Sequence, residues 1–160
     1  MRILDKATFA AGCFWHVEQI FSAVPGVLST RAGYTGGDFK NPTYQDVCAG
    51  STGHAEAVEI EFDPSKISFK ELLRTFWEIH DPTQLNRQGP DSGTQYRSAI
   101  FYHSAEQKAG ALESRDALQK VPRYLAKKIV SEIVPAKEFW VAEEYHQRYL
   151  EKHGRASCRS

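Results

Sequence analysis

The amino-acid sequence predicts an α+β two-layer sandwich, a mixed and mainly antiparallel sheet with helices packed on it and long loops between the elements. Two patterns and one size argument predict it. Period-two apolar runs alternate along the chain with runs of helical spacing, and Gly and Pro clusters punctuate them. A chain of 160 residues, 41% of them hydrophobic, is long enough to bury one core without a metal or disulfide staple. No repeat, low-complexity tract or linker divides it. One domain is therefore expected over residues 1–153, followed by a small, polar, flexible tail over 154–160.

Residues 7–11 read as a short strand running into Gly12. From Phe14 the apolar residues Val17, Ile20, Phe21 and Val24 follow helical spacing until Pro25-Gly26 stops them. Residues 27–34 look extended, and Gly36, Gly37, Asn41 and Pro42 open an irregular loop that continues to Gly53. Over 55–62 the period is two: Val58, Ile60 and Phe62 share one face with Glu56, while Glu59 and Glu61 take the other. Ser68 and Glu71 have capping-box spacing ahead of the stripe Phe69, Leu72, Leu73, Phe76 and His80, which Asp81-Pro82 ends. A polar loop over 84–95 precedes a strand over 97–102. Ser104 and Gln107 then cap a helix reaching about residue 121, and a strand near 129–134 and a helix over about 139–152 complete the chain. Strand, helix, strand, strand, helix, strand is the order of a ferredoxin-like core, here extended at its C-terminal end.

Charge and composition exclude several classes of function. Twenty Lys plus Arg balance twenty Asp plus Glu, so no net field draws the chain to nucleic acid or anionic lipid. No stretch of about 18 apolar residues is present, and the first dozen residues lack the apolar centre of a signal peptide. A cytoplasmic monomer is expected. The three cysteines, Cys13, Cys48 and Cys158, are odd in number and far apart, a poor framework for structural disulfides. The only methionine is Met1, and the apolar volume comes from aliphatic side chains and rings, nine Phe, three Trp and seven Tyr. Such a composition suits a protein that works among oxidants.

Four groups of residues can carry chemistry. Cys13 follows a strand and Gly12 and opens a helix, where unpaired N–H groups and the helix dipole stabilise a thiolate; the bland reading is a small buried hydrophobe. Phe14 and Trp15 diverge by about 100° on that helix, so both cannot enter one core, and the pair can line a pocket for a small apolar group. Glu56 sits on the apolar face of its strand, where a carboxyl is neutral or paired; either it is a proton donor or it pairs with an Arg such as Arg97. Tyr44, Asp91 and Tyr96 stand in loops or at strand ends, where site residues accumulate. Cys158 is a tail thiol with no packing role and can reach a first sulfur, whereas Cys48 reads as a packed residue. Zinc is disfavoured, because Cys13, His16, Cys48 and His54 lack paired-knuckle spacing. His80, His103, His146 and His153 suggest no shared centre.

With these residues in hand, the sequence closely resembles the methionine sulfoxide reductase A family. Gly12-Cys13-Phe14-Trp15 matches its active-site motif, Gly33-Tyr34 and Asn41-Pro42-Thr43-Tyr44 its loop, and Gly53-His54-Ala55-Glu56-Ala57-Val58 its acidic strand; Gln88-Gly89, Asp91 and Gly93-Thr94-Gln95-Tyr96-Arg97-Ser98 complete the match. His16 stands where the family has Gly. The resemblance implies reduction of the S epimer of methionine sulfoxide, free or in proteins. Cys13 would be the nucleophile and Glu56 the proton donor. Tyr44 and Tyr96 would bind the oxide oxygen, with Asp91 in the supporting polar network, and Phe14 and Trp15 would hold the methyl group. Cys158 would resolve the sulfenic acid into a disulfide that thioredoxin reduces, with no metal or bound cofactor. Two other classes remain open at this point: a cysteine hydrolase with a His base, and a thiol-bearing binding module without turnover.

Overall fold

The computed structural model describes residues 4–153. β1 (Asp5–Ala11) leads through Gly12 and Cys13 into α1 (Phe14–Ser22), which returns as β2 (Val27–Thr35). α2 (Tyr44–Cys48) interrupts the passage to β3 (Ala55–Phe62), and α3 (Phe69–Glu78) follows. A two-residue hairpin, β4 (Arg87–Gln88) and β5 (Asp91–Ser92), and a 3-10 turn at Thr94–Tyr96 precede β6 (Ser98–Tyr102). α4 (Ala105–Gln119), β7 (Glu132–Pro135), β8 (Trp140–Val141) and α5 (Tyr149–His153) close the described chain.

The main sheet runs β7-β6-β1-β3-β2-β8, with β6–β7 parallel and the other pairs antiparallel. Within it β6-β1-β3-β2 is the expected ferredoxin-like arrangement. Its central position explains why β3 is buried on both faces over Ala55–Val58 although its sequence alternates. On the helical side Val58, Ile60 and Phe62 join Ala7, Phe9, Ile100 and the helix residues in one core. There the Phe9 ring stacks on Phe21 and Phe76, with centroids 5.2 and 5.1 Å away. The other face is lined by small residues, Ala10, Ala55, Ala57 and Ala99, with Phe101, and takes Val134, Ala136 and Phe139 as its cover. Gly33 belongs to this close packing, because a Cβ there would meet the Phe139 ring and the Trp140 carbonyl at 2.5 Å.

Capping chemistry sets the helix starts. Ser68 and Glu71 form the expected box on α3, and Ser104 accepts the Gln107 N–H at 3.1 Å on α4. Four expectations need correction. The loop from Gly36 to Gly53 contains α2, nucleated by a second capping box between Thr43 and Asp46. The polar loop over 84–95 holds the small hairpin, and the strand expected near 129–134 starts at Glu132. The fourth correction is the largest, since residues 139–152 do not form one helix.

That last segment is a strap along the edge of β2. β8 pairs with Gly33 and Tyr34, and the Gln147 side chain then acts as a substitute strand residue. Its Oε1 accepts the Ala32 N–H at 2.8 Å, and its Nε2 donates to the carbonyls of Ala32 and Ala142 at 2.9 and 3.0 Å. Unpaired N–H and C=O groups on the sheet edge outweigh the weak helical spacing of the segment. Arg148, at φ +52°, turns the chain into α5, and the buried Glu18 of α1 accepts its N–H at 2.6 Å. Among the described residues no helix is long and apolar enough to cross a membrane.

Candidate active site

Gly12 places Cys13. Its φ of +93° turns β1 into α1, and a Cβ there would stand 2.9 Å from the Cβ and Cγ atoms of Gln88. Gln88 cannot retreat easily, because its amide bonds both the N–H and the carbonyl of Asp81, at 3.0 and 2.9 Å. Both the turn and the crowding require glycine. Cys13 is therefore the N-cap of α1, half-buried, and it is disulfide-bonded in this structure.

The first turn of α1 carries no acidic residue of its own. Glu56 of β3 takes that place: its Oε1 accepts the Phe14 N–H at 3.3 Å, while Oε2 is buried without a hydrogen-bond partner. Burial raises the Glu56 pKa to about 8, against the Phe14 N–H and with help from the charge of Asp91. Glu56 is thus a protonated acid at neutral pH, next to the residue that follows the cysteine. The alternative pairing with Arg97 does not occur, since Arg97 binds Glu132 at 2.9 Å and the carbonyls of Thr94 and Gly53.

Tyr44 opens α2, and its N–H donates to Glu143 Oε2 at 3.0 Å. Its hydroxyl interacts with the Tyr96 hydroxyl and with the Cys48 thiol. Burial first, and the Glu56 carboxyl second, push both phenols far above their usual range, so they remain hydrogen-bond donors. Cys48 is an exposed free thiol at the end of α2 and not a packed residue as expected, because the five-residue helix presents its last turn to solvent. Desolvation, opposed by the Tyr44 hydrogen bond, raises its pKa, which disfavours the thiolate.

The strap adds residues that the sequence did not reveal. The buried Tyr34 donates to Glu143 Oε1 at 2.8 Å. Burial pushes Glu143 upward, but the hydrogen bonds from Tyr44 and Tyr34 prevail and keep it ionised. His146, 1% exposed, accepts the Trp15 indole N–H on Nδ1 at 2.9 Å. Its ring lies 5.1 Å from Phe14, 4.4 Å from Tyr44 and 4.1 Å from Tyr145, centroid to centroid. Tyr149 stacks on Trp15 at 3.8 Å. His146 thus joins the rings around Trp15, a place the sequence did not assign to it. His16, in contrast, is exposed, and His54 is committed to the loop, binding the Gly37 N–H and the Phe39 carbonyl at 3.1 and 2.6 Å.

Two buried side-chain polar atoms among the described residues have no partner, Glu56 Oε2 and His146 Nε2. Phe14 touches both residues, one through its N–H and the other through its ring. Buried polar groups are almost always paired, so these two atoms, both next to Phe14, are exceptions to the pattern of the core. Among the described residues no group of three or more His, Cys, Asp and Glu side chains could hold a metal ion.

The family model for peptide methionine sulfoxide reductase matches residues 5–160, and a protein named peptide methionine sulfoxide reductase MsrA from Geobacter sulfurreducens is 62% identical over 156 residues, covering 98% of this chain and 96% of that one. The chain belongs to the peptide methionine sulfoxide reductase A family. The reductase acts on the S-oxide of methionine. Its fold matches a crystal structure of reduced Mxr1 from Saccharomyces cerevisiae with a TM-score of 0.90 and 36% identity, over 96% of this chain and 88% of that one. A structure of Mxr1 in complex with Trx2 matches at a TM-score of 0.64 and 27% identity, over 91% of this chain and 84% of that one. The reductase thus brings Cys13, Phe14, Trp15, Tyr44, Glu56, Asp91 and Tyr96 into one neighbourhood; Cys158 lies outside the described residues.

Proposed function

We propose that the reductase transfers oxygen from methionine S-sulfoxide to Cys13, with Glu56 as the proton donor. The Cys13 thiolate attacks the sulfoxide sulfur, Glu56 delivers its Oε2 proton to the oxide oxygen, and the S–O bond breaks as that oxygen passes to Cys13. Methionine leaves and Cys13 remains as a sulfenic acid, so the substrate sulfur gains the electron pair that Cys13 loses. The single observation that carries this reading is the Glu56 carboxyl, protonated at neutral pH, with one oxygen held by the Phe14 N–H and the other buried without a partner.

Tyr44 and Tyr96 donate to the oxide oxygen, Asp91 sustains the Glu56 proton, and the Phe14 and Trp15 rings receive the methyl group. Cys158 then attacks the sulfenic sulfur, releasing water and leaving a disulfide that a thioredoxin reduces by dithiol exchange. A free Cys48 with a raised pKa supports that division of labour. The complex of the relative Mxr1 with Trx2 supports the partner. Residues 1–153 act as one catalytic domain and 154–160 as a tail that carries the resolving thiol; the enzyme is a cytoplasmic monomer that needs no bound cofactor and serves protein repair.

The test is a stereochemically resolved assay. Under a dithiol reductant the S-sulfoxide, free and in a peptide, is expected to be consumed and the R-sulfoxide to persist. Equal consumption of both epimers would reject the pocket assignment, and consumption without formation of a Cys13 sulfenic acid would reject the nucleophile.

A further inference from the structure

Gln88 and Gly89, a pair that the sequence singles out and the mechanism leaves unused, sit beside the turn that carries the nucleophile. Gln88 lies on β4 of the small hairpin and faces Asp91 of β5 across it. A hairpin with strands of two residues has little stability of its own, so its place depends on what holds it. The Gln88 side chain supplies a hold. Its Oε1 accepts the Asp81 N–H at 3.0 Å, and its Nε2 donates to the Asp81 carbonyl at 2.9 Å. Two bonds to one residue, one in each direction, fix the amide in both place and rotation.

Asp81 is a firm anchor for that amide. Its carboxylate accepts the N–H and the hydroxyl of Thr83 at 2.9 and 2.6 Å, and the ring of His80 before it is bonded at both nitrogens. Nearer the backbone, the Gln88 Cβ and Cγ lie where a Cβ on Gly12 would come within 2.9 Å. The turn that sets Cys13 therefore rests on the same residue that pairs with Asp91.

We propose that Gln88 is a positioning residue for the reduction: clamped to Asp81, it fixes the Asp91 hairpin against the Gly12 turn, and so fixes Asp91 relative to the Cys13 sulfur. Gln88 acts through these two neighbours and not on the substrate. The inference rests on the reading of Asp91 as the support of the Glu56 proton. A hairpin released from Asp81 carries Asp91 away from Glu56, which removes a like charge and lets the acid ionise at lower pH. The other groups that face Glu56 do not confuse that readout. Tyr34, Tyr44, Tyr96 and Cys48 have raised pKa values and stay neutral around pH 7, and every variant below retains Cys13.

The experiment compares Gln88→Met, Asp91→Asn and the double variant Gln88→Met/Asp91→Asn in the full-length enzyme. KM for methionine S-sulfoxide and the single-turnover rate are measured for each over about pH 6 to 10. Methionine keeps the methylenes against Gly12 and removes both bonds to Asp81. In Gln88→Met the saturated single-turnover rate at neutral pH is expected to fall about tenfold, the cost of a small misplacement, with KM changed less than about threefold. The alkaline limb is expected to move down by about half a pH unit, in the same direction as in Asp91→Asn, and the double variant should move it no further.

A limb that stays in place in Gln88→Met while it moves in Asp91→Asn overturns the positioning role. So does a Gln88→Met rate within about twofold of wild type, or a second full shift in the double variant. An unmoved limb in Asp91→Asn itself refutes the reading of Asp91 on which the inference rests, a distinct result. Should Gln88→Met fail to fold, Gln88→Asn, whose amide is too short to bond both groups of Asp81, is held to the same outcomes.

Discussion

Two buried histidines divide the molecule. His80, at the end of α3, has both ring nitrogens engaged, one with the Phe76 carbonyl and the other with Ser98 Oγ, each at 2.7 Å, and Ser98 continues to Ser131 at 2.6 Å. His146, in the strap, uses one nitrogen and leaves the other unpaired beside Phe14 and Tyr44. The region of α3 and α4 also contains an apolar groove of about 690 Å³, yet no unpartnered buried side-chain atom of the described residues lines it. The difference is that the polar network around His80 is satisfied within the fold, whereas the unsatisfied buried groups stand beside the proposed substrate cradle. Cavity size alone would point away from the proposed site.

The two regions also answer pH in opposite directions. Burial lowers the His80 pKa to about 4, so between that value and the ordinary histidine range only the unfolded chain takes the proton. Stability therefore falls as pH drops through that window. Burial raises Glu56 to about 8, so from the ordinary glutamate range upward only the folded chain keeps the proton. Its contribution is present in acid and is lost as pH rises through about 8.

The strongest way to break the comparison is Cys13→Ser, which is expected to abolish methionine formation even in a single turnover, measured by chromatography of the quenched reaction. Next comes Glu56→Gln, with a loss of roughly 10²–10³-fold in the single-turnover rate, while alkylation of reduced Cys13 stays within a small factor of wild type. Cys158→Ser is expected to release about one methionine per enzyme and then stall with thioredoxin; normal cycling in that variant would assign the resolving step to Cys48 or to the partner directly. Glu143→Gln, which retains one of two accepted hydrogen bonds, is expected to raise KM by about fivefold, the scale of one hydrogen bond. The smallest catalytic effect belongs to the other region. His80→Phe should lower unfolding stability by about 1–3 kcal/mol and flatten its acid limb in urea titrations, with the single-turnover rate per folded molecule unchanged.

Most of the fold was legible because local rules agreed with one another there. The Gly12 turn, the Glu56 face of β3 and the Ser68 and Ser104 caps are written within a few residues, and α1, β3, α3 and β6 appear within one or two residues of expectation. The candidate site was legible where a chemical anomaly stood in the sequence, a thiol at a helix start or an acid on an apolar face. Glu143, His146 and Tyr149 were not, because their positions follow from the open edge of β2, a long-range demand that no local pattern carries. The capping box of Thr43 and Asp46 could have revealed α2. Five residues of helix were obscured by the glycines around them.

The central claim, a neutral Glu56 serving the Cys13 sulfur, is tested most directly by the pH dependence of the single-turnover rate of reduced wild type and Glu56→Gln over about pH 6 to 10. In wild type the rate is expected to fall about tenfold per pH unit above about 8, while Glu56→Gln is slow throughout and shows no such limb. A wild-type rate that holds steady to the alkaline end, or an identical decline in both proteins, would contradict it.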